Sequence, residues 1–385
     1  MELTGASQPR SNLRLEAVSS PRQQEDFLRL PWRLYANDPL WVPPLLPLQR
    51  RFLDPRRGPF FEFGEARYFV AYRGSEPVGR ISAHINRLHN RYHDADDGFF
   101  GFFESIPEAT VAGALFEAAA GWLAERGKKR LIGPLNFCVY DEMGLLVEGF
   151  DTMPAIFQSY NPPYYQELLR ELGFSKVHDW YALRIKREDV DVPRLAKTLQ
   201  QVLAREHLTF TTFRPRELAR RAQEVYALFN EAWTRNWGHV PLTERQFQTF
   251  LHELQPLLRP ELVNLMLDGD RLVAFNVTIP DINPFIQKLN GRLRWWDGLR
   301  LWYEAKHRPF EKARGLVLGV LQPYQNRRLH HALIIRTTLN IVTQTSCQVC
   351  DLSLIPENLG PYLKVLAMFG ARHYKTFRVL QREIG

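Results

Sequence analysis

Residues 161–174 (NPPYYQELLRELGF) and 358–370 (NLGPYLKVLAMFG) share one spacing of residue types. In each stretch a Tyr follows the Asn by four residues and a Gly follows it by twelve, and the two stretches lie 197 residues apart. Each pattern indicates a helix that ends at a glycine and leads into a strand. The shared spacing predicts that one folding unit occurs twice in this chain.

Two further matches occur in the same order along the chain. WVPPL (41–45) recurs as HVPLT (239–243) at an offset of 198, and the apolar segment around Val78 recurs around Val273 at an offset of 195. A repeat of this length indicates a duplicated domain rather than a solenoid unit. The comparison of the two copies therefore guides the interpretation of every other motif.

The predicted organisation is a disordered stretch at 1–11 followed by two halves, 12–187 and 188–385. The first residues are polar and show no periodicity, and a charged connector at 186–194 separates the halves. Each half is predicted to run strand, strand, strand, helix, strand, helix, strand after an amphipathic entry helix. This order is typical of a mixed α/β (α+β) fold class.

The predicted strands follow runs of apolar and β-branched residues, and the predicted helices follow apolar periodicity near 3.6. The strands are 66–73, 77–85, 97–105, 179–185, 261–270, 271–279, 315–323, 346–355 and 373–381, and the main helices are 109–127, 161–173, 216–235, 326–344 and 358–370. The halves differ by insertions at 133–155 and 282–308. Insertions on a duplicated scaffold are natural places for substrate recognition.

The composition is that of a globular protein of about two domains. The chain has 385 residues, of which 45% are hydrophobic and 24% are charged. We find no apolar run near the ~20 residues that a membrane span requires, and no apolar core of a signal peptide near the N-terminus. We therefore expect a cytoplasmic protein, with contact to a membrane surface as a further option.

The net charge of +8 permits an anionic partner such as a nucleic acid, an anionic lipid or a phosphate-rich cofactor. The basic residues are spread along the chain without a dense run, so nucleic acid is the less favoured partner. Cys347 and Cys350 form one CxxC pair, and the third and last cysteine is Cys138. One chain therefore offers no four-thiolate zinc site, and we expect no metal.

The order of elements, with a helix after the third strand and a closing Asn…Gly helix, resembles the GNAT acyltransferase fold. The finer resemblance is to a group of uncharacterised bacterial GNAT-type N-acyltransferases. It lies in DEMGLLVEGFD (141–151), YNPPYY (160–165), NWGHVPLT (236–243), LNGRL (289–293) and YKTFRV (374–379). The resemblance implies two tandem GNAT-like halves, acetyl-CoA or a longer acyl-CoA as donor, and a primary amine as acceptor.

The two halves differ at the loop where a GNAT fold holds the pyrophosphate of CoA on a helix N-terminus. The first half has two carboxylates and Pro107 at 104–108, whereas the second half has a cationic loop at 322–331. We therefore place the donor in the second half. The residues that the resemblance implies for this site are Val320, Gln325, Asn326, Arg327, Arg328 and His330.

The second loop departs from the pattern of the family. Gln325 fits the first position of the pattern, but Arg328 and His330 stand where glycines belong. Glycine lets a backbone approach a phosphate closely, so the cradle is expected to be looser, with arginine side chains compensating. A degenerate loop that binds no CoA is the alternative.

The candidate catalytic residues are Asp281, His239 and Tyr362. Asp281 follows a strand at the mouth of the expected cleft, His239 lies in NWGHVPLT, and Tyr362 lies on the closing helix. Each has a structural alternative: Asp281 can cap a turn with Asn283, His239 can be a solvated loop residue, and Tyr362, like its counterpart Tyr165, can pack against its sheet. The candidate acceptor-binding residues are Trp237, Asp141, Glu142 and Asn290.

Aromatic residues make up 12% of the chain, and tryptophans and basic residues alternate in GRLRWWDGLRLWYEAKHR (291–308). Core packing is the ordinary explanation, and an apolar channel or membrane-contacting surface is the sharper one. We favour a lipophilic amine such as a long-chain base as the acceptor. The alternatives are a non-catalytic binding or regulatory protein on two degenerate halves, and an aminoacyl-tRNA-dependent transferase. The sequence leaves the oligomeric state open.

Overall fold

The computed structural model describes residues 13–212, 215–234 and 236–384, so the disorder expected at 1–11 lies outside the described part. The strands are β1 Leu13–Ala17, β2 Gly64–Arg73, β3 Glu76–Asn86, β4 Asp97–Ser105, β5 Arg130–Gly133, β6 Leu145–Glu148, β7 Ser175–Lys186, β8 Thr209–Thr212, β9 Val263–Asp268, β10 Arg271–Pro280, β11 Lys312–Val320, β12 Val349–Pro356 and β13 Arg372–Glu383. The helices are α1 Pro21–Leu34, α2 Leu46–Leu53, α3 Arg87–His93, α4 Ala109–Ala124, α5 Tyr165–Glu171, α6 Val192–Glu206, α7 Pro215–Ala232, α8 Glu244–Leu254, α9 Asn283–Leu289, α10 Trp295–His307, α11 Leu329–Gln344 and α12 Gly360–Met368.

These strands form one mixed sheet that continues through both halves. Its order is β1-β2-β3-β4-β5-β13-β7-β12-β11-β10-β9-β8, and β6 also pairs with β13. The last strand of the chain, β13, is inserted between β5 and β7 of the first half, while β7 pairs on its other edge with β12 of the second half. The halves thus exchange their final strands, and the predicted mixed α/β fold class is confirmed. The division of the chain at residue 187 remains a prediction about folding units.

In each half, the two strands that a helix connects are parallel, as a crossover connection requires. The strands β4 and β5 pair through only three residues of each, 97–99 with 130–132. The strands β11 and β12 pair through 312–315 and 349–352. The pairing stops beyond these residues, and we call the unpaired continuation the first gap (β4/β5) and the second gap (β11/β12).

One helix covers the sheet in each half and follows the gap-forming strand. In the first half, α4 buries Val111, Leu115 and Leu123 against β2 and β3 in an apolar cluster. In the second half, α11 buries Leu329, Leu333 and other apolar residues in the matching cluster. Burying each such side chain contributes roughly 1.5–3 kcal/mol, which fixes where the N-terminus of each helix lies.

The described structure contains a strand at each predicted position. The predicted helix 326–344 begins later, at Leu329, because 322–327 form a 3-10 turn. The predicted connector forms the end of β7, a 3-10 turn at Arg187–Asp189 and the start of α6. The insertion 282–308 contains α9 and α10, which sequence patterns did not predict because their apolar residues are mixed with arginines and glycines.

Two further findings concern the described residues as a set. None of their helices is long and apolar enough to cross a membrane. They also contain no group of three or more His, Cys, Asp or Glu side chains arranged to hold a metal ion. Cys347 and Cys350 are buried in an apolar cluster and are not joined to each other.

Candidate active site

The ends of β4 and β11 are equivalent positions in the two halves. The Ile106 amide donates to the Val78 carbonyl at 3.1 Å, and the Leu321 amide donates to the Val273 carbonyl at 3.0 Å. Alternate residues of an antiparallel ladder face away from the partner strand, so the residue before each of these donors directs its amide into the gap. Those residues are Ser105 in the first half and Val320 in the second.

The first gap is closed by the protein itself. The Ser105 amide donates to the Tyr165 hydroxyl at 2.8 Å, and that hydroxyl donates to the Glu104 carboxylate at 2.7 Å. The edge of β4 is also covered, because the Leu135 amide donates to the Phe100 carbonyl and the Asn136 side chain accepts from the Phe102 amide, both at 2.8 Å. A ligand would have to break these bonds to enter.

In the second gap, no side chain of the described residues accepts from the Val320 amide, the counterpart of the Ser105 amide. Two side chains reach the edge of β11: Trp233 donates to the Leu318 carbonyl at 2.9 Å, and Gln325 donates to the Val320 carbonyl at 3.2 Å. Tyr362, the counterpart of Tyr165, is half-buried, and its hydroxyl has no hydrogen-bond partner among the described residues. Burial raises the pKa of Tyr362, so its hydroxyl keeps its proton at neutral pH.

The predicted phosphate loop lies at the N-terminus of α11, beside the second gap. Arg327 is not free, because its Nε donates to the Glu206 carboxylate at 2.6 Å. Asn326 and Arg328 are exposed, and Arg328 has no ion pair among the described residues. The backbone of Arg328 has φ 61°, the left-handed region that favours glycine. Arg328 therefore keeps the conformation expected of the family's glycine while adding a positive charge.

His330 follows on the first turn of α11. Its ring centroid lies 5.9 Å from that of Tyr362 and 4.2 Å from that of His331. Burial and the neighbouring His331 lower the pKa of His330 to about 4, so it is neutral at pH 7. It can contact a ligand in the second gap but does not add charge for a phosphate.

The insertion of the first half crosses to the second half and is held there by Asp281 and Asn283. The Asp281 Oδ1 atom accepts from the Ile156 amide at 3.2 Å and from the Asn283 amide at 3.1 Å. The Asn283 side chain donates to the Pro154 carbonyl at 2.8 Å. Burial raises the pKa of Asp281 to about 6. Asp281 thus both caps the turn before α9 and binds the first half.

Two buried cations complete this attachment. Arg314 on β11 donates to the Ile156 carbonyl and, at 2.9 Å, to the Ser353 hydroxyl. Lys375 on β13 donates to the Gly149 carbonyl and, at 2.8 Å, to that of Thr152. Burial lowers the pKa of Arg314 to about 10 and that of Lys375 to about 8. We call residues 149–156 the clamped segment.

Asp141 and Glu142 precede the clamped segment and differ in their surroundings. The Asp141 carboxylate accepts from the Cys138 amide at 3.1 Å, and burial raises its pKa to about 7. Glu142 is solvent-accessible, and the surrounding protein displaces enough of its water to raise its pKa. Its electrostatic neighbours include Arg80 of the first half and Arg314 of the second. Glu142 therefore lies in the cleft between the halves.

Comparisons with known proteins agree with this architecture. The chain is 30% identical over 382 residues to the bacterial ceramide synthase of Caulobacter vibrioides, covering 97% of this chain and 98% of that protein. It is 31% identical over 362 residues to protein YghO of Escherichia coli, covering 93% and 92%. No family model matches the sequence.

Solved structures show the fold. A tandem GNAT protein from the clavulanic acid biosynthesis pathway superposes with a TM-score of 0.57 at 11% identity, covering 97% of this chain and 99% of that one. A GCN5-related N-acetyltransferase from Sphaerobacter thermophilus gives 0.51 at 14% identity, covering 97% and 96%. The chain belongs to the acyltransferase family of the bacterial ceramide synthase, and its fold is that of a tandem GNAT protein. The second gap is then the place where a GNAT fold would take its acyl-CoA, which remains a prediction for this chain.

The segment NWGHVPLT (236–243) buries its candidate catalytic residue, His239, instead of exposing it. The His239 Nδ1 atom lies 2.6 Å from the Tyr140 hydroxyl, and burial lowers the pKa of His239 to about 4. Its Nε2 atom is buried without a hydrogen-bond partner among the described residues. The Trp237 ring stacks on His178 with centroids 5.7 Å apart. These residues line the joint between the halves.

Asn290 lies at the outer end of α9, away from the clamped segment. Its side-chain oxygen accepts from the Trp32 indole of α1 at 2.8 Å. Its backbone is left-handed at φ 46°, which Asn tolerates better than most residues. The contact ties α9 to the first half.

Apolar side chains line the joint beside the clamped segment. Phe150, Tyr160, Trp237, Leu354 and Tyr374 are partly buried around a core of Trp180 and Phe377. Partly exposed apolar residues at a joint between two halves can receive a lipophilic chain. Among the features described, this apolar lining agrees best with the predicted lipophilic acceptor.

Sequence patterns missed Arg314 and Lys375, together with Arg80 on β3. All three are charged residues with apolar residues close by in their strands, in KARGLVLGV, YKTFRV and PVGRISAHI. A charged side chain is rarely fully buried unless it has partners, so its presence in an apolar strand is a usable signal of an internal polar site. Their partners, carbonyl groups of a distant segment and a carboxylate of β4, leave no trace in the local sequence.

Proposed function

We propose that this protein transfers an acyl group from an acyl-CoA in the second gap to the primary amine of a lipophilic acceptor, such as a long-chain base. The observation that carries the proposal is the Val320 amide, which is directed into the second gap and has no side-chain acceptor among the described residues. The relative named bacterial ceramide synthase supports an amine of this class. The apolar lining around Phe150 and Trp237 supports it independently.

In the proposed reaction the amine nitrogen bonds to the thioester carbonyl carbon, the carbon–sulfur bond breaks, and an amide and a free thiol result. The Val320 amide is directed into the gap, where it can polarise the carbonyl and stabilise the oxyanion that forms. Holding both substrates in one cleft supplies much of the acceleration. The chain then needs one base for the ammonium and one acid for the thiolate.

We assign the base to Glu142 and the acid to Tyr362. Glu142 is open to the cleft, and its raised pKa makes it a better proton acceptor near neutral pH than an ordinary carboxylate. Tyr362 has a protonated hydroxyl without a partner among the described residues and lies at the second gap. Asp281 is instead a positioning residue, because its Oδ1 already accepts two amides of the attachment.

The test combines binding and turnover. Purified protein is titrated calorimetrically with CoA and with palmitoyl-CoA, and is then given palmitoyl-CoA and sphinganine while thiol release and the amide product are followed. We expect binding of the donor and an amide product with one thiol released per amide. Donor binding without acylation of any amine would overturn the transfer reaction. Binding of neither CoA species would favour a non-catalytic protein on degenerate GNAT halves.

A further inference from the structure

The outer face of α10 is apolar and exposed. Trp295 is 76% exposed, Trp296 46%, Leu299 61%, Trp302 47% and Tyr303 52%. The spacing i, i+1, i+4, i+7, i+8 places all five on one face of the helix. Its opposite face buries Asp297 and Ala305, and Ala305 with Leu301 packs in a cluster containing Leu257 and Leu258. The helix is thus fixed to the protein on one side and presents aromatics on the other.

The outer face of α10 concentrates exposed apolar side chains that on an ordinary surface are scattered. Nine large hydrophobic side chains are exposed in the described part of the chain, and five of them lie on this single helix. The other four, Leu48, Tyr92, Phe157 and Met368, are scattered over the sequence. Scattered apolar residues are normal on a surface, whereas a contiguous patch marks an interaction site.

The surroundings of the patch are basic. Residues 288–308 contain six Lys or Arg and two Asp or Glu, a net charge of +4. Of the two acids, Asp297 is buried and bound to Arg294 at 3.0 Å, and Glu304 lies 4.0 Å from Arg300 and 3.8 Å from Arg308. Long basic side chains beside exposed aromatics suit a partner that has an anionic outer layer and an apolar interior.

We propose that the outer face of α10 binds the surface of an anionic lipid bilayer. Trp and Tyr are favoured at the boundary between lipid tails and headgroups, and nearby Lys and Arg side chains bind anionic headgroups. The bilayer contact is a property of this surface and does not depend on acyl transfer. The helix lies in the boundary plane, with its buried face still packed on the protein.

The position of α10 connects this surface to the cleft. The Arg300 guanidinium lies 5.4 Å from the centroid of the Phe285 ring on α9, and α9 begins at Asn283, which binds the clamped segment. A bilayer at α10 therefore lies beside the elements that shape the joint between the halves. A lipophilic amine could pass from the bilayer into the joint without crossing water.

The experiment is flotation of the full-length protein with vesicles of phosphatidylcholine, with or without an equal part of phosphatidylglycerol. The triple variant Trp295→Ser, Leu299→Ser, Trp302→Ser should bind anionic vesicles at least about tenfold more weakly than wild type. The control triple variant Leu48→Ser, Tyr92→Ser, Met368→Ser removes as many exposed apolar residues and should bind like wild type. Thermal unfolding checks that all variants fold.

A second arm tests the charges. Arg292→Glu with Arg300→Glu should weaken binding to the anionic vesicles, and about 1 M salt should do the same for wild type because it screens exposed charges. Wild-type protein that fails to float would overturn the proposal, as would an α10 triple variant that floats like wild type. A wild-type dimer that this variant converts to monomer, with no vesicle binding, would assign the face to a second copy instead.

Discussion

The first and second gaps are equivalent positions in two copies of one fold, but the tyrosines beside them differ in burial and in hydrogen bonding. Tyr165 and Tyr362 occupy equivalent positions, yet Tyr165 is buried and bonded to Ser105 and Glu104, while Tyr362 is half-buried and unbonded among the described residues. In one copy the tyrosine completes the structure. In the other its hydroxyl has no partner among the described residues, and this difference is the reason why we propose a chemical role for Tyr362 alone.

The largest expected effect concerns Glu142, which the first half supplies to the proposed site of the second. Glu142→Gln keeps an oxygen that can accept from Asn136, which now donates to the carboxylate at 3.2 Å. It removes the proton acceptor, so kcat/KM should fall by ~10²- to 10⁴-fold. Steady-state thiol release measures the loss.

A matched control for Glu142 is Glu104→Gln in the closed first gap. Glu104 lies 3.5 Å from Arg80 and accepts from two tyrosine hydroxyls, so this variant should lose stability and keep its kcat/KM within a few-fold. Equal losses of activity in the two variants would contradict the assignment of the base. In wild type, activity should rise with pH as the carboxyl of Glu142 loses its proton, above the range of an ordinary glutamate, because its pKa is raised.

The tyrosine pair gives the most direct test of the comparison. Tyr362→Phe should lower kcat by about tenfold or more with an unchanged melting temperature, since only the proton donor is lost. Tyr165→Phe should instead lower the free energy of unfolding by about 1–3 kcal/mol, because the buried Ser105 amide and Glu104 carboxylate lose a partner. Chemical denaturation and thiol release, measured on both variants, separate the two roles. Loss of stability in Tyr362→Phe with full activity would reverse the interpretation.

The sequence was sufficient for nine of the thirteen described strands, because apolar runs and turn glycines are local signals, and it missed the short strands β1, β5, β6 and β8. It was not sufficient for the exchange of β7 and β13, since both strands have similar apolar patterns and their pairing is decided by contacts far apart in the chain. The Asn and Tyr that the stretches 161–174 and 358–370 share also suggested more similar surroundings than the structure shows. Asn161 pairs with the backbone of Leu146, whereas Asn358 is exposed. Identical letters therefore do not imply identical environments.

The same limit applies to the candidate site. The contrast between the acidic and basic loops was visible in the sequence, and the exposed Arg328 agrees with it. The pairing of Arg327 with Glu206 was not visible, because α6 lies 121 residues earlier in the chain. For Asp281 the sequence offered catalysis or a turn cap as alternatives. Its bond to Ile156 was not visible, since that bond depends on how the halves are docked.

Substitutions of Arg328 test whether phosphate binding at the second gap depends on the charge of this side chain or on the conformation of its backbone. Arg328→Ala should raise KM for the acyl-CoA by about tenfold, because a charge-assisted bond to phosphate is lost while kcat is little changed. Arg328→Gly removes the same charge but suits the left-handed φ of 61° better than alanine does. If the backbone cradle matters, the glycine variant recovers part of the affinity. If both variants bind like wild type, the phosphate lies elsewhere.

The smallest expected effect belongs to Asp281, which attaches the two halves to each other. Burial raises its pKa to about 6, so the folded protein binds this proton more tightly than the unfolded chain does. Between about pH 4 and pH 6 the folded state holds more protons, and stability falls as the pH rises through that window. Asp281→Asn removes this loss and retains an oxygen for the Ile156 and Asn283 amides. Above pH 6 the variant should be more stable than wild type by about 1 kcal/mol. The gain is modest because water still reaches part of the Asp281 side chain.

Denaturant unfolding of wild type and Asp281→Asn at pH 4, 5, 6 and 7 checks this expectation, and turnover at pH 7 decides the role. A positioning residue predicts that Asp281→Asn acylates within a few-fold of wild type, while Asp281→Ala, which loses both amide bonds, is less stable and less active. A loss of ~10²-fold or more in the asparagine variant would make Asp281 the base. The chemistry would then belong to the second half alone, and the first half would contribute only the wall of the cleft.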